Sequence, residues 1–156
     1  MKQKNDVPRQ RGVVLLAVMV FILVTTLGVN ALFQMHQTQA QRDREAQLLF
    51  VGDQYRRAIA SYFNTVPPGA ARSLPQSLED LVDDHRFPTP LHHLRRLYPD
   101  PMTGRIDWEL IKLGGGVSGV ASRSRLEPIK RKGFGTLYSQ FDGQPTYADW
   151  RFAIGP

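Results

Sequence analysis

An apolar run without a charged residue extends from Val13 to Phe33. As an α-helix rising about 1.5 Å per residue, this run would be about 30 Å long, which matches the hydrocarbon core of a bilayer. The pattern therefore predicts a transmembrane helix over residues 13–33.

The residues that follow this run are polar but keep a helical pattern. Residues 34–64 contain no proline and one glycine, Gly52, and they are rich in Gln, Arg and Ala. These residue types tolerate or favour helix. Apolar residues recur at spacings of three and four, which predicts one buried helix face. They are Leu48, Val51, Tyr55, Ala58, Ile59 and Tyr62. Three charged residues are predicted to lie off that face: Glu45, Arg56 and Arg57. The membrane helix is therefore predicted to continue to about Phe63.

Residues 65–156 have the composition of a small mixed domain. Prolines, glycines and serines in 65–77 end the long helix, and Pro75–Asp84 is predicted as a short helix. Its buried face would contain Leu78, Leu81 and Val82. Alternating patterns predict strands at 107–113, 117–122 and 150–154, with a turn at Gly114–Gly116. The predicted fold class is α+β: a long amino-terminal helix, membrane-spanning in its first half, packed on a small antiparallel β-sheet head.

Charge gives the predicted membrane helix an orientation. The net charge is +6, and residues 1–12 contain four basic residues and one acidic residue before the apolar run. Short basic flanks stay on the cytoplasmic side, so the head is expected outside the membrane. The chain contains no cysteine, which excludes disulfides and thiolate chemistry.

Three interpretations of the amino-terminal region compete. The first is a secretory signal peptide cleaved after Val29-Asn30-Ala31, and the second is an uncleaved anchor. The third is a prepilin-type leader, residues 1–12, which ends at Gly12 and leaves the apolar segment in place. The continuation of the helix through 34–64 favours the third interpretation, because a cleaved signal peptide does not explain it.

The junction Arg11-Gly12, followed by Val13-Val14-Leu15-Leu16, resembles the leader junction of type IV pilins and type II secretion pseudopilins. The stretch from Leu94 to Gly104, which contains Asp100-Pro101, is similar to part of the pseudopilin head. Similar stretches are Tyr55–Ile59, Ser77–Leu81 and Tyr147–Phe152, and Trp108 also fits that pattern. This sequence departs from the family at Ala17, where the family has Glu.

The resemblance implies a structural subunit rather than an enzyme. The subunit would lie in the bacterial inner membrane as a single pass, with a cytoplasmic amino terminus and a periplasmic head. It would assemble into a periplasmic pilus or pseudopilus for type II secretion or type IV pilus function. The implied partners are other pilins or pseudopilins, a prepilin peptidase and the inner-membrane assembly platform.

The resemblance also assigns residues to these steps. Gly12 would be the processing site and Val13 the new terminus, with Leu15, Leu16, Ala17 and Gly28 on the assembly surface. Thr25, Thr26, Gly28 and Asn30 either bond neighbouring helices or mark the end of the membrane segment. The alternative function is a signal-anchored periplasmic module that binds a protein or DNA.

Other candidate chemistry is weaker. His85, His92 and His93 lie close in sequence, but no ligand pattern completes a zinc site, so they are predicted as surface loop residues. No cofactor is expected, with calcium at Asp142 and Asp149 as the alternative. Nucleic-acid binding is not favoured, because the basic residues lack aromatic residues between them. These basic residues are Arg123, Arg125, Lys130, Arg131 and Lys132.

Processing at Gly12 is directly testable. Co-expression with a prepilin peptidase should yield a chain that begins at Val13, as measured by intact-mass analysis, and substitution of Gly12 should block the cut. An uncut chain, or a chain that begins at Leu32, would contradict the prepilin interpretation.

Overall fold

The computed structural model describes the backbone of residues 8–155 and the side chains of residues 12–25 and 37–155. The chain divides into two compact units after Gln41. One helix, α1, comprises Pro8–Asn64. The boundary between the units falls inside the predicted segment 34–64, so the helical residues from Arg42 onward belong to the unit that contains the head.

The predicted transmembrane helix is the main correction to the fold. Among the described residues, no helix combines the length and the apolar character needed to cross a bilayer. The prediction of a membrane-spanning first half is therefore wrong, and so is the single-pass inner-membrane location that followed from it. Side chains 26–33 of the predicted span lie outside the described residues.

One face of α1 packs into the core of the head, as its spacing predicted. Leu48, Tyr55, Ala58, Ile59 and Tyr62 are buried. Val51, from the same predicted set, is partly buried against this core. Residues three and four apart share a helix face, so the stripe lies on the side of α1 that the head covers.

The sheet is small and antiparallel, in the order β1-β2-β3. Its strands are β1 (Glu109–Leu113), β2 (Gly116–Ala121) and β3 (Arg151–Ala153). The central strand β2 is buried along its whole length, whereas β1 is largely exposed. A register shift between Ile111 and Lys112 interrupts the pairing of β1 with β2. Gly114 and Gly115 have positive φ angles, which suits the tight turn between these strands.

A glycine allows α1 to approach the sheet closely. A Cβ atom on Gly52 would lie 2.5 Å from the Cγ and Cδ2 atoms of the Phe152 ring in β3. Gly52 therefore leaves space for an aromatic ring. Helix propensity alone would favour alanine at this position. Phe152 in turn packs edge-to-face on Phe141, which stacks on Trp150 with nearly parallel rings.

Hydrogen bonds hold a second aromatic group against α1. The hydroxyl of Tyr55 donates to the carbonyl of Tyr98 and accepts its backbone N–H, at 2.9 and 2.8 Å. The indole N–H of Trp108 donates to the same carbonyl at 2.8 Å. These contacts tie residues 88–101, a stretch with four prolines that forms no helix or strand, to α1.

The predicted helix over Pro75–Asp84 is wrong in extent, because only Glu79–Leu81 forms a short 3-10 turn. The carboxylate of Asp80 accepts the backbone N–H groups of Gln76 and Ser77, and so caps the turn from inside. The carbonyl of Leu81 accepts two N–H groups from the segment 93–94, so it is not available to continue a helix. Two further 3-10 segments, Thr136–Phe141 and Tyr147–Asp149, were not predicted.

The Gly52–Phe152 contact yields a stability prediction. Gly52→Ala gains about 1 kcal/mol of helix propensity, but its methyl group must displace the ring. Because overpacking costs about 1–3 kcal/mol, we expect the free energy of unfolding to fall, as measured by urea denaturation. Gln47→Ala, at an exposed position of α1, is the control and should change little. If the added methyl group overlaps the Phe152 ring, Phe152→Leu should lower the free energy of unfolding by less in the Gly52→Ala variant than in the wild type. Equal losses in the two backgrounds would contradict this explanation.

Candidate assembly surface

The described amino-terminal part of α1 is apolar on every side. Eleven large apolar side chains between Val13 and Val24 are each between 51% and 70% exposed. Val13, Val14, Leu15 and Leu16 together cover a full helical turn, so the segment has no polar face. A helix that is apolar all round requires cover, and a large exposed apolar patch marks an interaction surface. We call residues 12–25 the apolar segment.

Gly12 and Val13 lie at the start of this segment, and both are exposed. Gly12 is helical, and a Cβ atom added to it would meet no other atom within 4 Å. Steric fit therefore does not require glycine here. Glycine does weaken the helix, by about 1 kcal/mol relative to alanine, which makes the backbone easier to open for a protease. Cleavage after Gly12 stays a prediction.

The predicted assembly residues Leu15, Leu16 and Ala17 are exposed within the apolar segment. Ala17 offers no charge, and the segment contains no carboxylate. The hydroxyl of Thr25 donates to the carbonyls of Phe21 and Ile22, both at 2.9 Å, so it is satisfied within its own helix. The side chain of Thr26 and the predicted contacts of Gly28 and Asn30 lie outside the described residues.

In the second compact unit, the buried carboxylate of Glu45 fixes α1 to the loop that contains Ile129 and Lys130. Glu45, only 5% exposed, accepts the backbone N–H groups of Ile129 and Lys130 and the hydroxyl of Tyr147. Such donors compensate a buried charge for the water that it loses. The prediction that Glu45 lies off the buried face is wrong. Glu45 precedes Leu48 by three positions, so helical spacing places it on the buried face. Its charge argued against burial in the sequence analysis.

A second carboxylate fixes the carboxyl-terminal end of α1. Arg86 donates to the carbonyls of Tyr62 and Thr65, at 2.8 and 3.0 Å, and its guanidinium lies 3.5 Å from the centre of the Tyr62 ring. Asp84, which is buried, accepts from the same guanidinium at 2.7 Å. Arg86 thus satisfies carbonyls that the end of a helix leaves without partners. We call Asp84 and Arg86 the helix clamp.

The helix clamp determines the charge of Asp84. Burial by itself raises the pKa of this carboxyl, but hydrogen bonds from Arg86 and His93 outweigh it and lower the pKa to about 2. Asp84 is therefore ionised at neutral pH, and part of the stability of the fold depends on this ionisation.

The three histidines have different environments. His85 is exposed and lies 3.5 Å from Asp83, whereas the ring of His92 contacts the carbonyl of Val82. His93 is only 4% exposed at its side chain and lies beside Asp84, so its prediction as a surface loop residue is wrong. Within the described part of the chain, no three His, Asp or Glu side chains are grouped as metal ligands would be.

The carboxylates of the calcium alternative have separate roles. Asp149 accepts the hydroxyl of Thr146 at 2.6 Å and its backbone N–H at 3.2 Å, and so caps the 3-10 turn Tyr147–Asp149. Asp142 is exposed. Calcium binding at these residues stays a prediction. The five residues of the basic run are exposed as well, and Arg131 pairs with Glu127.

Comparison with protein-family models, with curated proteins and with solved structures found no match to this chain. The resemblance to pilins and pseudopilins therefore rests on the residues named above, and it stays a prediction.

The helix clamp generates a prediction with a defined pH dependence. Asp84→Asn leaves the Arg86 guanidinium without its counter-charge, so we expect the full chain to lose about 3 kcal/mol of unfolding free energy at neutral pH. Because folding lowers the pKa of Asp84, its stabilisation is complete above about pH 4 and is lost as the pH falls towards about 2. As the pH falls through this range, the unfolding free energy of the wild type should drop by roughly 2 kcal/mol more than that of Asp84→Asn.

Urea denaturation, followed by the fluorescence of the buried Trp108 and Trp150, measures these differences. Asp83→Asn is the matched control, because Asp83 is adjacent in sequence but its side chain is 46% exposed. An exposed pair is worth less than about 1 kcal/mol. Equal losses in the two variants would contradict the role of the clamp.

Proposed function

We propose that this chain is a pseudopilin-like structural subunit. It assembles with related subunits through α1 into a filament that serves type II secretion or a type IV pilus. The observation that supports this proposal is the apolar segment, which is exposed on every side of one helix while the head has a complete core of its own. The amino-terminal resemblance at Gly12 to Leu16 supports the same function.

The energetics favour cover by other helices. Complete burial of a Val, Leu, Ile, Phe or Met side chain stabilises by about 1.5–3 kcal/mol, and eleven such side chains are more than half exposed here. Removal of part of this surface from water is enough to offset the roughly 4–15 kcal/mol that association costs. Neighbouring helices of the same apolar character would supply that cover along the whole segment.

Charge decides which neighbours fit. A cut after Gly12 would create an ammonium group at Val13, within the surface that assembly buries. An unpaired buried charge costs several kcal/mol, and Ala17 cannot supply a carboxylate to a neighbouring copy. The subunit therefore assembles with partners that carry a Glu at the corresponding position, as a cap or a minor component, and polymerises poorly with itself.

Cross-linking along α1 tests this assembly. The chain has no native cysteine, so a single Val20→Cys or Leu23→Cys substitution, with a single cysteine at the same position of the co-expressed subunit, reports one position. We expect cross-links when subunits with that Glu are co-expressed and few cross-links when the chain is alone. Gln47→Cys, at an exposed position outside the apolar segment, is the control and should cross-link weakly in both cases.

Position 17 provides the sharper comparison. We expect Ala17→Glu to raise self-association several-fold, whereas Ala17→Gln, of nearly the same size but without charge, should not. Abundant homopolymer from the unchanged sequence, or equal effects of Glu and Gln, would contradict the charge argument. Insertion of the apolar segment into lipid vesicles without any cross-linking would contradict assembly through α1.

A further inference from the structure

Three side chains from separate parts of the head form a linear hydrogen-bonded chain. The hydroxyl of Ser61, in the last turn of α1, lies 2.8 Å from Nδ1 of His93. The Nε2 atom of the same ring lies 3.2 Å from Oδ2 of Asp84. A hydroxyl, an imidazole and a carboxylate in this order are the groups that activate a nucleophilic serine in acyl-transfer enzymes.

The helix clamp fixes the direction of each hydrogen bond. Asp84 is ionised, since Arg86 and His93 hold its pKa near 2, and a carboxylate can only accept hydrogen bonds. The Nε2 atom of His93 must therefore carry the hydrogen that lies towards Asp84. In the neutral ring, Nδ1 then has a lone pair and accepts the hydroxyl hydrogen of Ser61.

The imidazole and the carboxylate are buried, whereas the serine hydroxyl is exposed. The side chains of His93 and Asp84 are 4% and 1% exposed, and the ring of Tyr62 packs edge-to-face on His93 at 5.5 Å between centroids. Ser61 is exposed, so a reagent can reach its oxygen. The imidazole is thus held in one orientation behind an accessible hydroxyl, which is the arrangement that a general base requires.

The position on α1 limits what this serine can do. The carboxyl-terminal end of a helix carries a partial negative charge, which disfavours the oxyanion of a tetrahedral intermediate. Proton transfer from Ser61 to His93 is supported, but rapid turnover is not. This combination suits a residue that is modified once and retains the group.

We propose that Ser61 is a covalent acylation site that takes an acyl group from an activated ester or thioester. His93 acts as the general base, and Asp84 is its positioning residue. The Ser61 oxygen attacks the carbonyl carbon of the donor, and its proton passes to Nδ1 of His93. The bond from the carbonyl carbon to the leaving oxygen or sulfur breaks, the leaving group takes the proton from His93, and Ser61 becomes an ester.

p-Nitrophenyl acetate and the full chain provide the test. We expect one acetyl group per chain, located on Ser61 by peptide mapping, and a release of nitrophenolate that stops after about one equivalent. Ser61→Ala should abolish this release. General-base assistance contributes about 100-fold or more to such a step, so His93→Gln should slow acetylation of Ser61 about 100-fold.

Two controls separate this chemistry from general surface reactivity. His92→Gln changes the adjacent imidazole, which contacts Val82 instead of Ser61, and it should leave the rate unchanged. Ser139 is an exposed serine whose hydroxyl donates to the carbonyl of Thr136, and it should remain unmodified. Acetylation of Ser61 no faster than Ser139 in the wild type would overturn the proposal, even if His93→Gln does not fold. Equal rates for folded His93→Gln and wild type would overturn it as well.

Discussion

Contact with α1 makes the small sheet possible. Its three strands are only three to six residues long, and a sheet of this size requires packing against another element to be stable. The buried face of α1 supplies that element, and Gly52 lets the helix approach until the Phe152 ring fills the space of a missing side chain. The aromatic group around Phe141 and Trp150 extends the same core to the carboxyl-terminal strand.

Buried carboxylates add positional specificity to this apolar packing. Glu45 binds two backbone N–H groups of one loop, and Asp84 orients Arg86 onto the carbonyl of Tyr62 in the last turn of α1. A third buried carboxylate, Asp100, accepts the hydroxyl of Ser122 at 2.6 Å and the N–H of Met102. Apolar contacts tolerate small sliding movements, whereas each of these bonds exists in one register only. The bonds of Glu45 and Arg86 therefore fix where loops attach to α1, and the bonds of Asp100 fix its own loop to the residue that follows β2.

The spacing of apolar residues in the sequence predicts part of this structure. The stripe from Leu48 to Tyr62 was predictable because helical spacing places those residues on one side, and alternation located the strands to within a few residues. The short helix near Pro75 was predicted too long, because the side chain of Asp80 competes for backbone N–H groups. The transmembrane span was inferred from apolar length alone, and the described residues do not support it.

The polar sites were less accessible to sequence analysis, for a physical reason. Glu45 and His93 look like surface residues by type, and only their distant partners, Ile129 in one case and Asp84 in the other, make burial favourable. Ser61, His93 and Asp84 share no motif, because the end of α1 and two separate positions of the following loop region bring them together. The exposed apolar segment, in contrast, follows directly from its composition.

The register shift in β1 has a consequence for how the exposed edge of the sheet can meet another chain. An outer strand with unpaired backbone groups is a template on which another chain can add, and such addition leads to aggregation. In β1, the irregularity between Ile111 and Lys112 bends the line of backbone groups, and Glu109 and Lys112 place charges along it. An incoming strand would therefore find neither a straight edge nor an uncharged one. This strand is therefore protected against indiscriminate pairing with the edge strand of another chain.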